Sequence, residues 1–204
     1  VKKRFGINRS YFMHLGTIEP RKNLPRLLQA YRRLRDKVRD TGRGRGSGRG
    51  CDFPQLVLVG KPGWLYEPTF RAMKEHNLKG DVIHCGYIPR NEAFLLLRNA
   101  LACVYPSLYE GFGLPVLEAM AARVPVITSN VASLPEVLGG AGVLVNPTDI
   151  DEIEAALLHA HEHAGDDATR SQVEAAYRRA QEFTWERSAQ ALANVYRDSV
   201  AREV

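Results

Sequence analysis

Residues 105 to 118 read Tyr-Pro-Ser-Leu-Tyr-Glu-Gly-Phe-Gly-Leu-Pro-Val-Leu-Glu, with Glu110 and Glu118 eight positions apart around the turn Gly111-Phe112-Gly113. The turn follows a continuous apolar run over 100–105, of strand length, and precedes a helix-forming stretch over 115–122 with proline in its first turn, where a missing N–H costs nothing. A strand that feeds a glycine turn and then a helix N-terminus makes an anion pocket, because free N–H groups and the helix dipole face the ligand. Carboxylates beside a phosphate would repel it, so Glu110 and Glu118 fit better as acceptors for hydroxyl groups. A ligand with both phosphate and hydroxyls, such as a nucleotide sugar, meets both demands. The bland alternative is a strand-to-helix turn in which Glu118 is a good early-helix residue.

A second candidate is Gly16-Thr17-Ile18-Glu19-Pro20-Arg21-Lys22-Asn23, after an apolar run over 11–15. Arg21 and Lys22 precede a helix with apolar residues at Leu24, Leu27, Leu28, Tyr31, Leu34 and Val38, so two cations join its dipole and would suit a diphosphate. They could equally be solvated surface charges. In Gly86-Tyr87-Ile88-Pro89, Tyr87 could stack on a base while the Tyr87 and Ile88 peptides read its edge, or Tyr87 could simply pack. Lys61 reads as solvated rather than phosphate-bound. His14 and His84 read as satisfied core residues. His159 and His163 share a helix face but lack a third metal ligand, and so read as exposed helix surface.

The elements that must position these residues alternate. Strands are expected over 11–15, 55–59, 81–85, 100–105, 124–128 and 142–145. Helices are expected over 24–38, 67–75, 91–99, 115–122, 134–138, 150–163 and 168–181, with a last one from about 184. Thr148 and Asp151 resemble a capping box for the helix at 150. Nearly continuous apolar strands between helices predict an α/β, doubly wound, mostly parallel six-stranded sheet, Rossmann-like, with extra C-terminal helices. In such sheets ligands bind beyond the carboxyl ends of the strands, where Gly16, Gly60, Gly86 and Gly111 fall.

At 204 residues and 45% apolar composition, the chain suits one domain. Three cysteines without a C-x-x-C pair argue against a disulfide framework or a zinc site and fit a reducing cytoplasm. No apolar stretch has membrane-span length, no signal peptide opens the chain, and the first residue is Val1, as expected of a fragment. The net charge is +5, but Arg43, Arg45 and Arg49 lie in Gly-Arg-Gly-Arg-Gly-Ser-Gly-Arg-Gly and leave the rest at +2. The tract lacks aromatics, so 41–53 reads as a flexible loop and no nucleic-acid partner is expected.

These motifs, in this order over nearly the whole chain, resemble the C-terminal, donor-binding domain of retaining glycosyltransferase family 4, the group-1 enzymes of GT-B fold. Carrying the resemblance are Gly16 to Leu24, Gly86-Tyr-Ile, and Pro106 to Met120 with its Glu-x7-Glu signature. Also similar are Val124-Pro-Val-Ile-Thr-Ser129, Leu134-Pro-Glu-Val137, Gly142-Val-Leu-Val and the late Phe-Thr-Trp185. The resemblance implies that Lys22, partnered by Arg21, holds and stabilises a diphosphate leaving group and that Glu110 binds donor-sugar hydroxyls. It further implies that backbone amides of Gly111, Phe112, Gly113 and Leu114 contact sugar or phosphate, that Glu118 holds the ribose diol, and that Tyr87 and Ile88 border the base. Thr17 stands where many relatives have a phosphate-binding arginine.

By the same resemblance, 1–10 is an interdomain segment and 11–183 the donor domain. Residues 184–204 form a helix returning towards an N-terminal acceptor domain, which would supply the glycan or lipid-linked acceptor site. The implied substrate is a nucleotide diphosphate sugar, GDP-mannose by likeness of the Gly16 turn to mannosyltransferases of polysaccharide assembly. Neither cofactor nor metal is expected, and no D-x-D motif to hold a divalent cation. The longer enzyme is expected in the cytoplasm, at the inner face of the membrane. A dinucleotide-binding dehydrogenase is disfavoured because the Gly16 turn lacks G-x-G-x-x-G. A sugar-nucleotide epimerase or a non-catalytic nucleotide-sugar-binding domain would share the pocket.

Overall fold

A computed structural model describes residues 1–40 and 53–201; the Gly/Arg tract at 41–52 and residues 202–204 lie outside the described residues. Six parallel strands, β1 (Tyr11–Leu15), β2 (Gln55–Val59), β3 (Val82–Gly86), β4 (Ala102–Tyr105), β5 (Val126–Ser129) and β6 (Val143–Val145), form one sheet in the order β3-β2-β1-β4-β5-β6. The order reverses between β1 and β4. At such a switch point, loops leaving neighbouring strands turn opposite ways and open a crevice beyond the carboxyl ends.

Helices cover both faces: α1 (Leu24–Asp40), α2 (Glu67–Glu75) and α6 (Ile150–Glu162) on one, α3 (Arg90–Leu97), α4 (Leu114–Ala121), α5 (Leu134–Leu138) and α7 (Asp167–Ala180) on the other. Alternation along β1 shows why the strands are apolar throughout. Phe12 packs under α1 and α6, while Tyr11 and Met13 pack under the α3, α4 and α7 layer. α8 (Trp185–Ala201) ends the described chain and exposes Trp185, Leu192, Val195 and Tyr196. Among the described residues no helix is long and apolar enough to cross a membrane. At the amino-terminal rim, Asp81 receives Arg9 at 2.8 Å, Arg35 at 3.1 Å and Arg39 at 3.0 Å. Ile7 is buried, tying the first ten residues to the sheet.

The structure departs from the sequence expectations at several points. β4 and β5 each start two residues later than expected, because Ala100, Leu101, Val124 and Pro125 are apolar yet belong to the connecting segments before the strands. Phe53, expected at the end of the flexible loop, is 2% exposed and packs its ring on Tyr31 at 5.3 Å. The cap of α6 is Asp149, whose carboxylate accepts the N–H groups of Asp151 and Glu152, and not Thr148. Asp149-Ile150-Asp151 does have D-x-D spacing, contrary to the reading above. Asp149 caps the helix and Asp151 pairs with Arg33 at 2.5 Å, so the triplet is structural.

Two glycines fix the rim. Gly60, at φ +148, lies so close to the Gly16 turn that a Cβ there would stand 1.9 Å from the Gly16 carbonyl oxygen. The two turns then run on together, Ile18 N–H donating to Lys61 O at 3.0 Å and Gly63 N–H to Ile18 O at 2.9 Å. Gly60→Ala must separate these backbones. It should lower the melting temperature by at least 10 °C or prevent folding, whereas Gly80→Ala, at φ +84 in open space, should cost about 1 kcal/mol or a few degrees. Thermal unfolding of the two variants checks this.

Candidate functional site

The candidate site begins in the turn after β1. Pro20–Lys22 forms one 3-10 turn, closed by Asn23 in the left-handed region at φ 58, and α1 starts at Leu24. Asn23 is 3% exposed and its amide donates to Pro106 O at 3.0 Å and Pro147 O at 2.6 Å. Leu108 N–H donates to Arg21 O at 2.7 Å. These bonds clamp the cation turn to the loop leaving β4. Ser133 holds that loop from the other side, its hydroxyl donating to Glu110 O at 3.0 Å.

The clamped loops bring Lys22 and Glu110 together in a buried ion pair, Nζ to Oε1 at 2.6 Å, with side chains 5% and 7% exposed. Arg21 reaches the other Glu110 oxygen at 2.5 Å, and its Nε meets Glu19 at 2.6 Å. Lys22 also donates to the Tyr105 hydroxyl at the end of β4. Burial opposes ionisation of Glu110, but the hydrogen bonds from Lys22 and Arg21 win and hold its carboxyl below the usual range. For Lys22, burial outweighs the support from Glu110 and lowers the ammonium's pKa. Burial, with Glu110 adding to it, pushes Tyr105 up and keeps it a neutral phenol.

The expected diphosphate cations and the expected sugar-binding carboxylate are thus each other's partners here. Two cations and two carboxylates leave this cluster without net charge. A bound anion must therefore compete with Glu110 for N–H donors, or use those left over.

Beside the cluster lies a cleft of about 510 Å³, lined among others by Gly16, Thr17, Lys61, Tyr87, Ile88 and Glu118. Tyr87 is 80% exposed, beside the buried Ile88. Glu118 lies five residues into α4 and takes Arg90 at 3.2 Å. Gly113 caps α4 at φ +97, where a Cβ would meet Leu134 Cδ2 at 2.6 Å, and no side chain bonds the helix start. Gly111 stands in the loop before that cap, Leu114 is exposed at the first helical position, and Phe112 packs edge-on against Phe183 at 5.7 Å. Lys61 is exposed on the cleft wall.

His14 departs from the satisfied core residue expected. It is fully buried, and its Nδ1 meets Val104 O at 3.0 Å, so the neutral ring carries its proton there. Its Nε2 has no partner among the described residues and faces the Gly16 turn. His84 is only half-buried, with Nε2 2.9 Å from Gly60 O. Tyr105, Glu19 and Arg90 escaped the sequence reading. A tyrosine at the very end of an apolar strand was the one available signal for Tyr105. Among the described residues no cluster of three potential ligands could hold a metal ion. The rings of His159 and His163 lie 4.4 Å apart, tilted by 32°, and His163 pairs with Asp166 at 3.0 Å.

A switch-point crevice with paired cations, a Glu-x7-Glu segment and glycine turns on one rim places the chain among Rossmann-like domains of GT-B glycosyltransferases. The chain belongs to the glycosyl transferases group 1, whose family model matches residues 2–179. It is 38% identical over 188 residues to O-antigen chain mannosyltransferase B of Escherichia coli, covering 92% of this chain and 45% of that protein. It is 35% identical over 159 residues to the MMP alpha-(1->4)-mannosyltransferase of Mycolicibacterium hassiacum, covering 72% and 36%. Among solved structures, sucrose-phosphate synthase from Thermosynechococcus elongatus superposes with TM-score 0.74 at 26% identity over 98% of this chain and 48% of its own. A trehalose-phosphate synthase from Burkholderia vietnamiensis, at TM-score 0.80 and 18% identity over 99% and 47%, shares the fold. The chain thus spans about half the length of the relatives it matches or less.

Burial sets a pH dependence. Desolvation lowers the His14 pKa to about 4, so the unfolded chain takes up a proton below about pH 6.5 that the folded chain refuses until about pH 4. Stability therefore falls as pH drops through that window; half-buried His161 is lowered in the same direction, and Glu110, depressed instead from the carboxylate range, loses its contribution at lower pH. Denaturant unfolding at pH 7 and pH 5 should show the wild type losing about 2 kcal/mol more than His14→Phe. Equal losses would show that His14 is not a buried neutral base.

Proposed function

We propose that the chain is the donor-binding part of a retaining hexosyltransferase that moves a mannosyl group from a nucleotide diphosphate sugar to a glycan or lipid-linked acceptor. The observation that carries the reading is the Lys22–Glu110–Arg21 cluster at the switch point, sharing Gly16 with a cleft that holds Tyr87, Ile88 and Glu118. The base lies between Tyr87 and Ile88, the ribose diol hydrogen-bonds Glu118, displacing Arg90, and the diphosphate crosses Gly16 to Lys22. The amides from Gly111 to Leu114, at the start of α4 that no side chain caps, face the sugar or its phosphate. Glu110 then accepts hydroxyls of the sugar.

Transfer breaks the anomeric C–O bond, so negative charge grows on the leaving diphosphate and positive charge on the sugar ring. Lys22 and Arg21 oppose the first charge and Glu110 the second, and fixed charges in a water-poor site stabilise the transition state more than the ground state. The mannosyl assignment follows the names of the relatives, and GDP-mannose is the favoured donor. The acceptor and the remaining catalytic groups belong to a further domain. By itself the chain binds donor weakly and transfers little, and the longer enzyme works in the cytoplasm against the membrane's inner face.

Calorimetric titration of the folded chain with GDP, UDP, ADP and their sugars checks the reading; no heat with any of them would contradict it. Lys22→Ala should weaken nucleoside diphosphate binding by 10- to 100-fold, roughly the 1.5–3 kcal/mol of a hydrogen bond to a charged group, and leave nucleoside binding unchanged. Because that variant strands Glu110, the paired variant Lys22→Met/Glu110→Gln should recover thermal stability without recovering diphosphate binding. Glu118→Gln should weaken ribonucleotides but not their 2′,3′-dideoxy analogues.

A further inference from the structure

Lys22 has a second partner that carries no charge. Its ammonium donates to the Tyr105 hydroxyl and stands 4.7 Å from the centre of the Tyr105 ring. With Glu110 Oε1 at 2.6 Å, two of the three N–H groups are used and one is left for a ligand. Tyr105 is itself held on all sides. Its ring stacks on His14 with centroids 5.3 Å apart and planes 11° apart, and its carbonyl accepts the Thr128 hydroxyl at 2.9 Å. His14 is locked in turn by Val104 O.

Three side chains from three elements meet behind one glycine. A Cβ on Gly16 would lie 3.6 Å from Lys22 Cε, 3.7 Å from His14 Nε2 and 3.7 Å from Tyr105 Cε2. The other side of Gly16 lines the cleft. An unbranched lysine stem has four rotatable bonds, and ordering them at the moment of binding would weaken the ligand's hold. Here the ordering precedes the ligand. Leucine at 105 would fill the space but offer neither an acceptor nor a π face to the ammonium.

We propose that Tyr105, backed by the stacked His14, is the positioning residue of Lys22, fixing its ammonium behind Gly16 so that the free N–H meets the diphosphate. The proposal rests on the donor-binding reading above. Tyr105 touches no reacting atom; it acts through the lysine. His14 serves as an uncharged plate, since a second cation at that point would push Lys22 away from Tyr105.

The test is the ratio of GDP to guanosine affinity, or of UDP to uridine if UDP binds more tightly, for the wild type, Tyr105→Phe and His14→Phe. Tyr105→Phe keeps the ring and its stack, and should cut the ratio about tenfold while nucleoside affinity holds. His14→Phe keeps a flat plate on Tyr105 and should change the ratio less than threefold. Without ligand, nitrogen-15 spectra of the wild type should show a slowly exchanging Lys22 ammonium signal that Tyr105→Phe removes. A wild type that binds GDP and UDP no better than their nucleosides overturns the diphosphate reading and this proposal with it. A normal wild-type ratio that survives Tyr105→Phe, with the Lys22 signal intact, overturns the positioning role alone.

Discussion

Taking a lysine ammonium and a glutamate carboxylate out of water costs several kcal/mol for each ion, and only close, well-bonded pairing offsets it. The Lys22–Glu110 pair meets that condition because the fold holds both ends. Asn23 and Leu108 tie the lysine's turn to the β4 loop, Ser133 anchors Glu110's backbone, and Arg21 and Tyr105 occupy bonding positions the pair leaves open. Remove one partner and a buried charge is stranded. The pair therefore couples the stability of the sheet's rim to the chemistry proposed there.

On the donor-binding proposal, such a pair lets the rim be built before any anion arrives. Glu110 and Glu19 balance Arg21 and Lys22, so the rim avoids the repulsion of two unpaired cations. Glu118 and Arg90 repeat the arrangement across the cleft in more exposed form. A donor carries both complements, a diphosphate for the cations and hydroxyls for the carboxylates. On that proposal the diphosphate adds to Lys22 through its remaining N–H while hydroxyls reach the carboxylates, and differential interaction with the leaving group can develop there.

Much of this architecture was legible in the sequence, and the reasons differ by element. β2 and α2 were read to the residue because an apolar run and a periodic stretch are bounded by polar or turn residues. β4 was read too long since Ala100 and Leu101 are apolar without being strand, and Phe53 was lost to a loop because a glycine tract drowns one aromatic. The α6 cap was misplaced by one residue between two plausible oxygens. Lys22, Arg21, Glu110 and Glu118 could be picked out because charges beside glycine turns at strand ends are unusual. Their pairing could not, since nothing in the chain order says that residues 88 positions apart will meet. Tyr105 and His14 were hidden for a related reason. An aromatic or imidazole inside an apolar run reads as core, and only the assembled rim reveals which of its atoms lack a core partner.

The central claim is that a nucleotide diphosphate hydrogen-bonds the ammonium of Lys22 at the Gly16 turn. A crystal structure of the chain with GDP, or with whichever nucleoside diphosphate binds best, tests it most directly. The account requires a phosphate oxygen within hydrogen-bond distance of Lys22 Nζ, the ribose diol on Glu118 in place of Arg90, and the base against Tyr87 and Ile88. A nucleotide seated elsewhere, or one bound in the cleft with its diphosphate in solvent and no contact to Lys22, would contradict it.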